Sequence, residues 1–213
     1  MADNVKKQCI VLLSGGLDSA TALNIALKKY EVTALVFDYG QRHKFEISAA
    51  KNIADKANIL LKLIKIDLGQ FGNSALTDDI EVPKNQEIGK EIPITYVPVR
   101  NTIFLSYALA YAEVNNIFDI FIGVNALDYS GYPDCRPEYY ETIAEGLRLG
   151  SKIGTQYNIP FTIATPLIAM TKADIVHLAF DLKAPIDVTW SCYDSGDTPC
   201  GRCDSCGLRA KGF

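Results

Sequence analysis

Gln8-Cys9-Ile10-Val11-Leu12-Leu13-Ser14-Gly15-Gly16-Leu17-Asp18-Ser19 is the stretch that decides the fold. The run from Gln8 to Leu13 reads as a short buried strand that stops at a Ser-Gly-Gly turn. Behind the turn, Ala20, Leu23 and Leu27 share one face of a helix. Glycines at such a junction let the backbone approach an anion closely. The unpaired amides and positive dipole end of the new helix favour a phosphate. Ser14 and Ser19 add hydroxyl donors, and Asp18 suits a magnesium ion. The spacing matches neither G-x-x-x-x-G-K nor G-x-G-x-x-G. The competing reading is a plain glycine turn before a helix cap, where Asp and Ser are ordinary residues.

Outward from this turn, strand and helix patterns alternate. Val32–Phe37 and Ile59–Leu68 read as strands, with a helix over Lys44–Ala57 between them. Gly69–Pro93 has no clear period and reads as a long loop, either a lid or a disordered segment. Asn101–Val114 is apolar nearly all round, so the spacing predicts a helix buried on several sides. Asp119–Val124 is a fourth strand, Pro137–Gly150 a helix with proline in its first turn, and Phe161–Leu167 a fifth strand. Thr171 with Asp174 three residues on has the form of a capping box opening one more helix. Strands alternating with helices imply right-handed crossovers and a doubly wound, parallel, five-stranded α/β sheet.

The chain has 213 residues, enough for a full core, and its formal charge of −4 comes with scattered basic residues. A protein gripping a nucleic-acid backbone usually shows a cationic face, so a small-molecule substrate is favoured. The apolar run Cys9–Leu13 is too short for a signal sequence, and no stretch reaches membrane-span length. These features point to a cytoplasmic protein.

Four of the six cysteines crowd the tail: Cys192, Cys200, Cys203 and Cys206. Zinc takes four thiolates tetrahedrally, and a closed all-cysteine set leaves no position for a reactive water, so the site is structural. Gly196, Gly201 and Gly207 supply turns to such a knuckle. An iron–sulfur cluster also uses four cysteines, and two disulfides are the third alternative. Cys9 reads as a core residue. Cys135, among charged residues, has no partner histidine nearby, and His43 and His177 lack metal-ligand spacing.

Ser14-Gly15-Gly16-Leu17-Asp18-Ser19 resembles the SGGxDS signature of the PP-loop ATP pyrophosphatase superfamily, Rossmann-like proteins of the adenine nucleotide alpha hydrolase kind. The resemblance implies ATP bound with its pyrophosphate at Ser14, Gly15, Gly16, Leu17, Asp18 and Ser19. It also implies a phosphate-binding lysine at the strand end after Thr165-Pro166-Leu167, where Lys172 stands. Further strings narrow the family: Phe37-Asp38-Tyr39-Gly40-Gln41-Arg42-His43, Val97-Pro98-Val99-Arg100-Asn101, Ser130-Gly131-Tyr132-Pro133-Asp134-Cys135-Arg136, and the cysteine tail running into Gly207-Leu208-Arg209-Ala210. Over nearly its whole length the chain resembles the QueC family of queuosine biosynthesis. Departures are Val99, where the family often has a small residue, and a stop at Phe213, where members often continue.

The resemblance implies an ATP-dependent carbon–nitrogen ligase that converts 7-carboxy-7-deazaguanine and ammonia to the 7-cyano base through adenylated intermediates, with Mg2+ and a structural Zn2+. It gives Asp18, Ser19, Arg100 and Lys172 catalytic roles. Asp38 would hold ATP or metal, and Arg42, Arg100 and Arg136 would pair with the substrate carboxylate or the adenylate phosphate. Asp128 or Asp134 would accept from the guanine-like edge, with Tyr132 stacking. It implies a homodimer as well. The expected division is a PP-loop catalytic domain over 1–187 and a zinc-binding segment over 188–213. Rival readings are a tRNA-modifying PP-loop enzyme and a non-catalytic nucleotide-binding zinc scaffold. A scaffold has no use for polar strings at three successive strand ends.

Overall fold

The structure, a computed structural model, describes residues 6–85, 91–127, 132–194 and 197–213. The elements run β1 (Lys7–Leu12), α1 (Leu17–Leu27), β2 (Tyr30–Asp38), α2 (Phe45–Ala57), β3 (Leu60–Lys65), α3 (Arg100–Asn115), β4 (Asp119–Ile122), α4 (Pro137–Leu149), α5 (Lys152–Gln156), β5 (Thr162–Ala164), α6 (Lys172–Asp181) and α7 (Asp204–Gly212). The sheet has the order β3-β2-β1-β4-β5, and every pairing is parallel. Successive side chains of a strand point to opposite faces. Cys9, Val11 and Leu13 of the first strand and its end thus meet Ala20, Leu23, Ala50 and Ile53 of α1 and α2. Ile10 and Leu12 turn the other way, onto Leu105, Ala108 and Ala112 of α3. With both faces covered, the central strands read as continuous apolar runs. Each fully buried Ile or Leu there contributes about 2 kcal/mol through removal from water.

The winding reverses once. From β1 the chain steps through β2 to β3 at one edge, then crosses back under α3 to place β4 on the other side of β1. The crevice between the carboxyl ends of β1 and β4 is therefore the switch point, where doubly wound sheets take their ligands.

Several expectations need correction. The helix over 101–114 is not buried all round: Leu105, Ala108, Leu109 and Ala112 form one buried stripe, whereas Tyr107 and Val114 are exposed. The third strand ends at Lys65, although Ile66 and Leu68 still donate to Asp38 and Tyr39 carbonyls at 2.9 and 3.0 Å. The fifth strand is only Thr162–Ala164, because Thr165–Met170 turns twice, with Ile168 and Met170 amides bonded to the Thr165 and Leu167 carbonyls. The described part of 69–93 is packed: Ser74 and Ala75 are fully buried. It also pairs with the tail, through an antiparallel bridge between Lys84 and Cys203, an Asn85 amide bond to Arg202 O and a 2.7 Å Lys84–Asp194 ion pair. The tail contains a helix, α7, so Gly207 lies inside a helix rather than at a turn. Gly201 does turn, at φ +70°, and Gly196 is outside the described residues. The Thr171–Asp174 capping box is present in both directions.

Candidate functional site

The loop between β1 and α1 is built by short-range chemistry. Gly15 has φ +90°, and a Cβ there would lie 2.2 Å from the Glu46 carbonyl oxygen, so only glycine fits against α2. Ser14 Oγ donates to Ser19 Oγ at 3.0 Å, and Ser19 Oγ donates to the Gly16 carbonyl at 3.0 Å. These bonds fix the turn. Gly16 caps α1 without any side-chain bond to its amides, and the first-turn amides of a helix have no intrahelical acceptor. They are left to point, with the dipole, at an incoming anion.

Lys172, the first residue of α6, donates to both Asp18 carboxylate oxygens at 2.9 and 2.7 Å. This pair joins two helix N-termini separated by 154 residues in sequence. Beneath it, Gly123 follows β4 so closely that a Cβ would sit 2.7 Å from Asp18 O and 2.8 Å from Ser19 Cα. Asn125 donates to the Met170 and Leu167 carbonyls, tying the end of β4 to the turn before α6.

A cavity of about 270 Å³ opens from this loop. Arg100 also lines it, its guanidinium 5.7 Å over the Tyr39 ring. Burial opposes the charge of Arg100, yet Tyr39, Tyr132, Tyr193 and Asp134 outweigh it and hold the group above its ordinary pKa. It is a fixed cation in the cavity that the phosphate loop also lines. Tyr132 and Cys135 line the same cavity, and burial pushes the Cys135 thiol up to about 12, so it is protonated at neutral pH. Glu46, from the first turn of α2, lines the cavity as well. Burial raises its carboxyl to about 7 against the pull of Arg100.

The tail closes the cavity. Trp190 N donates to Gly15 O at 2.9 Å, its ring stacks on Phe45 at 4.9 Å, and Ser191, Tyr193, Asp204, Ser205, Leu208 and Arg209 complete the lining. Just behind α7, the sulfurs of Cys192, Cys200, Cys203 and Cys206 all lie within 4.8 Å of one another. Tetrahedral thiolates about 2.3 Å from zinc would stand about 3.8 Å apart, so the set fits with little adjustment. Backbone amides already point at the sulfurs: Asp194 and Cys200 donate to Cys192, and Arg202 and Cys203 donate to Cys200. Burial opposes ionisation of Cys200, but those two amides help bring its thiol down to about 7.

The sequence-derived residues divide. Ser14, Gly16, Leu17, Asp18, Ser19, Arg100, Tyr132 and Lys172 share the cavity. Gly15 shapes the loop from behind. Asp38 ends β2 paired with Lys44 at 3.6 Å. Arg42 turns to the Ile80 carbonyl at 2.8 Å and to Asp79. Asp134 is buried and accepts from the Asn101 amide at 3.1 Å, capping the start of α3. Arg136 is exposed at the start of α4. Asp128 lies outside the described residues. Sequence reasoning missed Glu46, Trp190, Ser191, Tyr193, Asp204 and Arg209. Only Trp190-Ser191-Cys192-Tyr193, an aromatic pair around a cysteine of the four-cysteine cluster, carried a local signal.

Comparison with known proteins agrees with this architecture. The fold and its loop define a doubly wound α/β protein with an anion-binding turn at the sheet's switch point. An NMN synthetase from Francisella tularensis shares the fold at TM-score 0.51, with 19% identity, over 94% of this chain and 71% of that one. Residues 8–213 match the family model described as queuosine biosynthesis protein QueC, and the chain belongs to that family. A 7-cyano-7-deazaguanine synthase of Picrophilus torridus is 56% identical over 209 residues, covering 97% of this chain and 87% of that protein. One from Syntrophus aciditrophicus is 54% identical, covering 98% and 93%.

Proposed function

We propose that this protein is an ATP-dependent ligase that turns 7-carboxy-7-deazaguanine and ammonia into 7-cyano-7-deazaguanine. The observation that carries the reading is one cavity lined both by an anion-binding helix start and by a fixed guanidinium, Arg100. A carboxylate oxygen is a poor leaving group, so it must first attack the α-phosphorus of ATP. The first turn of α1, Ser14, Ser19 and Lys172 would hold the pyrophosphate, and Arg100 would orient the carboxylate or carry the developing phosphate charge. Lys172 would exchange Asp18 for phosphate oxygens, freeing Asp18 for Mg2+, which supplies charge neutralisation at the phosphates. Ammonia then displaces AMP to give the amide, and a second adenylation lets the amide eliminate to the nitrile. Positioning and electrostatics do most of this work.

Residues 1–187 form the nucleotide-binding part in this reading, and 188–213 the zinc segment that closes the cavity. Zinc rather than an iron–sulfur cluster agrees with the tight, closed cysteine set. Metal analysis should give one zinc per chain, with no visible iron–sulfur absorbance. Among the described residues no helix is long and apolar enough to cross a membrane, in keeping with a cytoplasmic enzyme of free base rather than RNA. A homodimer is supported by Tyr107 and Val114 of α3 and Leu60 of the edge strand β3, all exposed, and sedimentation would measure it. The test of the function is pyrophosphate release with ATP, magnesium, ammonium and the carboxylate base, with mass spectrometry of the product. Nitrile with AMP and pyrophosphate is the expected result, and ATP binding without turnover would refute it.

A further inference from the structure

After the first adenylation, nitrogen must give up protons twice, when ammonia is added and when the nitrile forms. When ammonia attacks the acyl-adenylate, the C–N bond forms, the C–O bond breaks, AMP leaves and one N–H proton must go. The adenylated amide then loses both remaining nitrogen protons as its C–O bond breaks, a second AMP departs and the C≡N bond closes. On the ligase reading above, on which this inference rests, we propose that the Glu46 carboxylate accepts these protons in turn and passes each to water in the cavity.

The geometry sets Glu46 apart from the other acids nearby. Asp18 is bound by Lys172, Asp38 by Lys44 and Asp134 by the Asn101 amide. Asp204 sits between two cysteines of the metal cluster. Among the described residues nothing hydrogen-bonds the Glu46 carboxylate, although it lines the same cavity as Arg100. Its backbone is fixed, because its carbonyl abuts Gly15 of the phosphate loop. Arg100 of α3 acts on it directly, and the other charged or titratable groups lining the cavity include Tyr39, the Asp18–Lys172 pair of α1 and α6, and Asp204 and Arg209 of α7. Arg100, protonated throughout, keeps the carboxylate from being pushed higher still, and burial leaves it near 7. A general base works best with its pKa near the working pH.

The experiment is rapid-quench kinetics on the zinc-loaded protein, wild type, Glu46→Gln and Glu46→Asp, with ATP, magnesium and 7-carboxy-7-deazaguanine. Without ammonium, Glu46→Gln should give a pyrophosphate burst of wild-type amplitude. With ammonium, its amide and nitrile formation should fall about 100-fold or more, and Glu46→Asp should recover most of the rate. At fixed free ammonia, the wild-type nitrogen-transfer rate should fall as pH drops through about 7, and the glutamine variant should lose that limb. Wild-type nitrogen transfer in Glu46→Gln overturns the proposal. So does loss of the burst itself, which would place Glu46 at the nucleotide. A wild type that releases no pyrophosphate with this base fails the ligase reading instead, a separate result.

Discussion

Gly123→Ala should damage the site without touching any group that does chemistry. The backbone of Gly123 lies outside the left-handed region, so alanine brings no conformational strain and its effect is steric. Its Cβ would lie 2.7 Å from Asp18 O and 2.8 Å from Asp18 C and Ser19 Cα, about 0.7 Å inside the 3.4 Å edge of ordinary contact. All three neighbours are backbone, so no rotamer change relieves the clash. Ile120 and Ile122, the strand residues just before Gly123, are buried, which leaves the first turn of α1 to give way. A displacement approaching 1 Å costs on the order of 100-fold in rate, and overpacking costs about 1–3 kcal/mol. At about 2–4 °C per kcal/mol for a chain of this size, the melting temperature should fall by roughly 3–10 °C. Steady-state pyrophosphate release and scanning calorimetry would read both, with zinc content unchanged. Gly146→Ala is the control, since a Cβ there meets nothing within 4 Å. It should gain about 0.5–1 kcal/mol and leave kinetics alone. Wild-type kcat/KM and stability in Gly123→Ala would refute the claim that α1 is wedged against β4.

Lys172→Met should lower pyrophosphate release by about 100-fold or more if the lysine stabilises transferring phosphate, yet shift stability by at most about 1 kcal/mol, because the pair is partly solvated. Val99 is β-branched at φ +49° and half exposed. Val99→Asn should therefore raise stability by about 1 kcal/mol in a denaturant titration, asparagine tolerating this region far better. Cys192→Ser should lose the zinc, read by metal analysis, and lower the melting temperature, because that sulfur accepts two backbone amides and packs with Ala75 and Val82. Glu46→Gln should show a pH-dependent stability gain. The folded carboxyl keeps its proton to about 7 instead of 4.5, so the folded chain binds more protons in that window and wild-type stability falls as pH rises through it. The variant should equal wild type near pH 4 and exceed it by roughly 1–3 kcal/mol near pH 8, a range allowing for water in the cavity.

What the sequence disclosed about the site was local. Ser14 through Ser19 could be read because strand, turn and helix start lie within a dozen residues and each needs a particular residue type. The capping box at Thr171 was legible for the same reason. Glu46 gave no such signal, since a glutamate in a helix's first turn is ordinary and only folding sets it against Gly15. Arg42 shows the converse: it sits in a polar string beside the site, yet Ile80 and Asp79 of the 69–93 segment hold it instead. Gly207 was misread because glycines near metal cysteines usually mark turns, whereas here Cys203 caps a helix that runs straight through it. The apolar surround of α3 was overestimated, because Tyr107 and Val114 satisfy the pattern while remaining exposed.

The bond from Trp190 to Gly15 has a consequence for how the protein is made. The phosphate loop leaves the ribosome well before the segment around Trp190 that pins it. Until residues 188–213 emerge, the sheet β1–β5 can assemble only with the cavity unroofed, leaving the groups that this segment covers open to solvent. Such long-range closure is slow and exposes the intermediate to association. Zinc capture by the emerging cysteines would then be the event that locks the roof, so metal scarcity during synthesis should yield aggregated chains rather than inactive soluble ones.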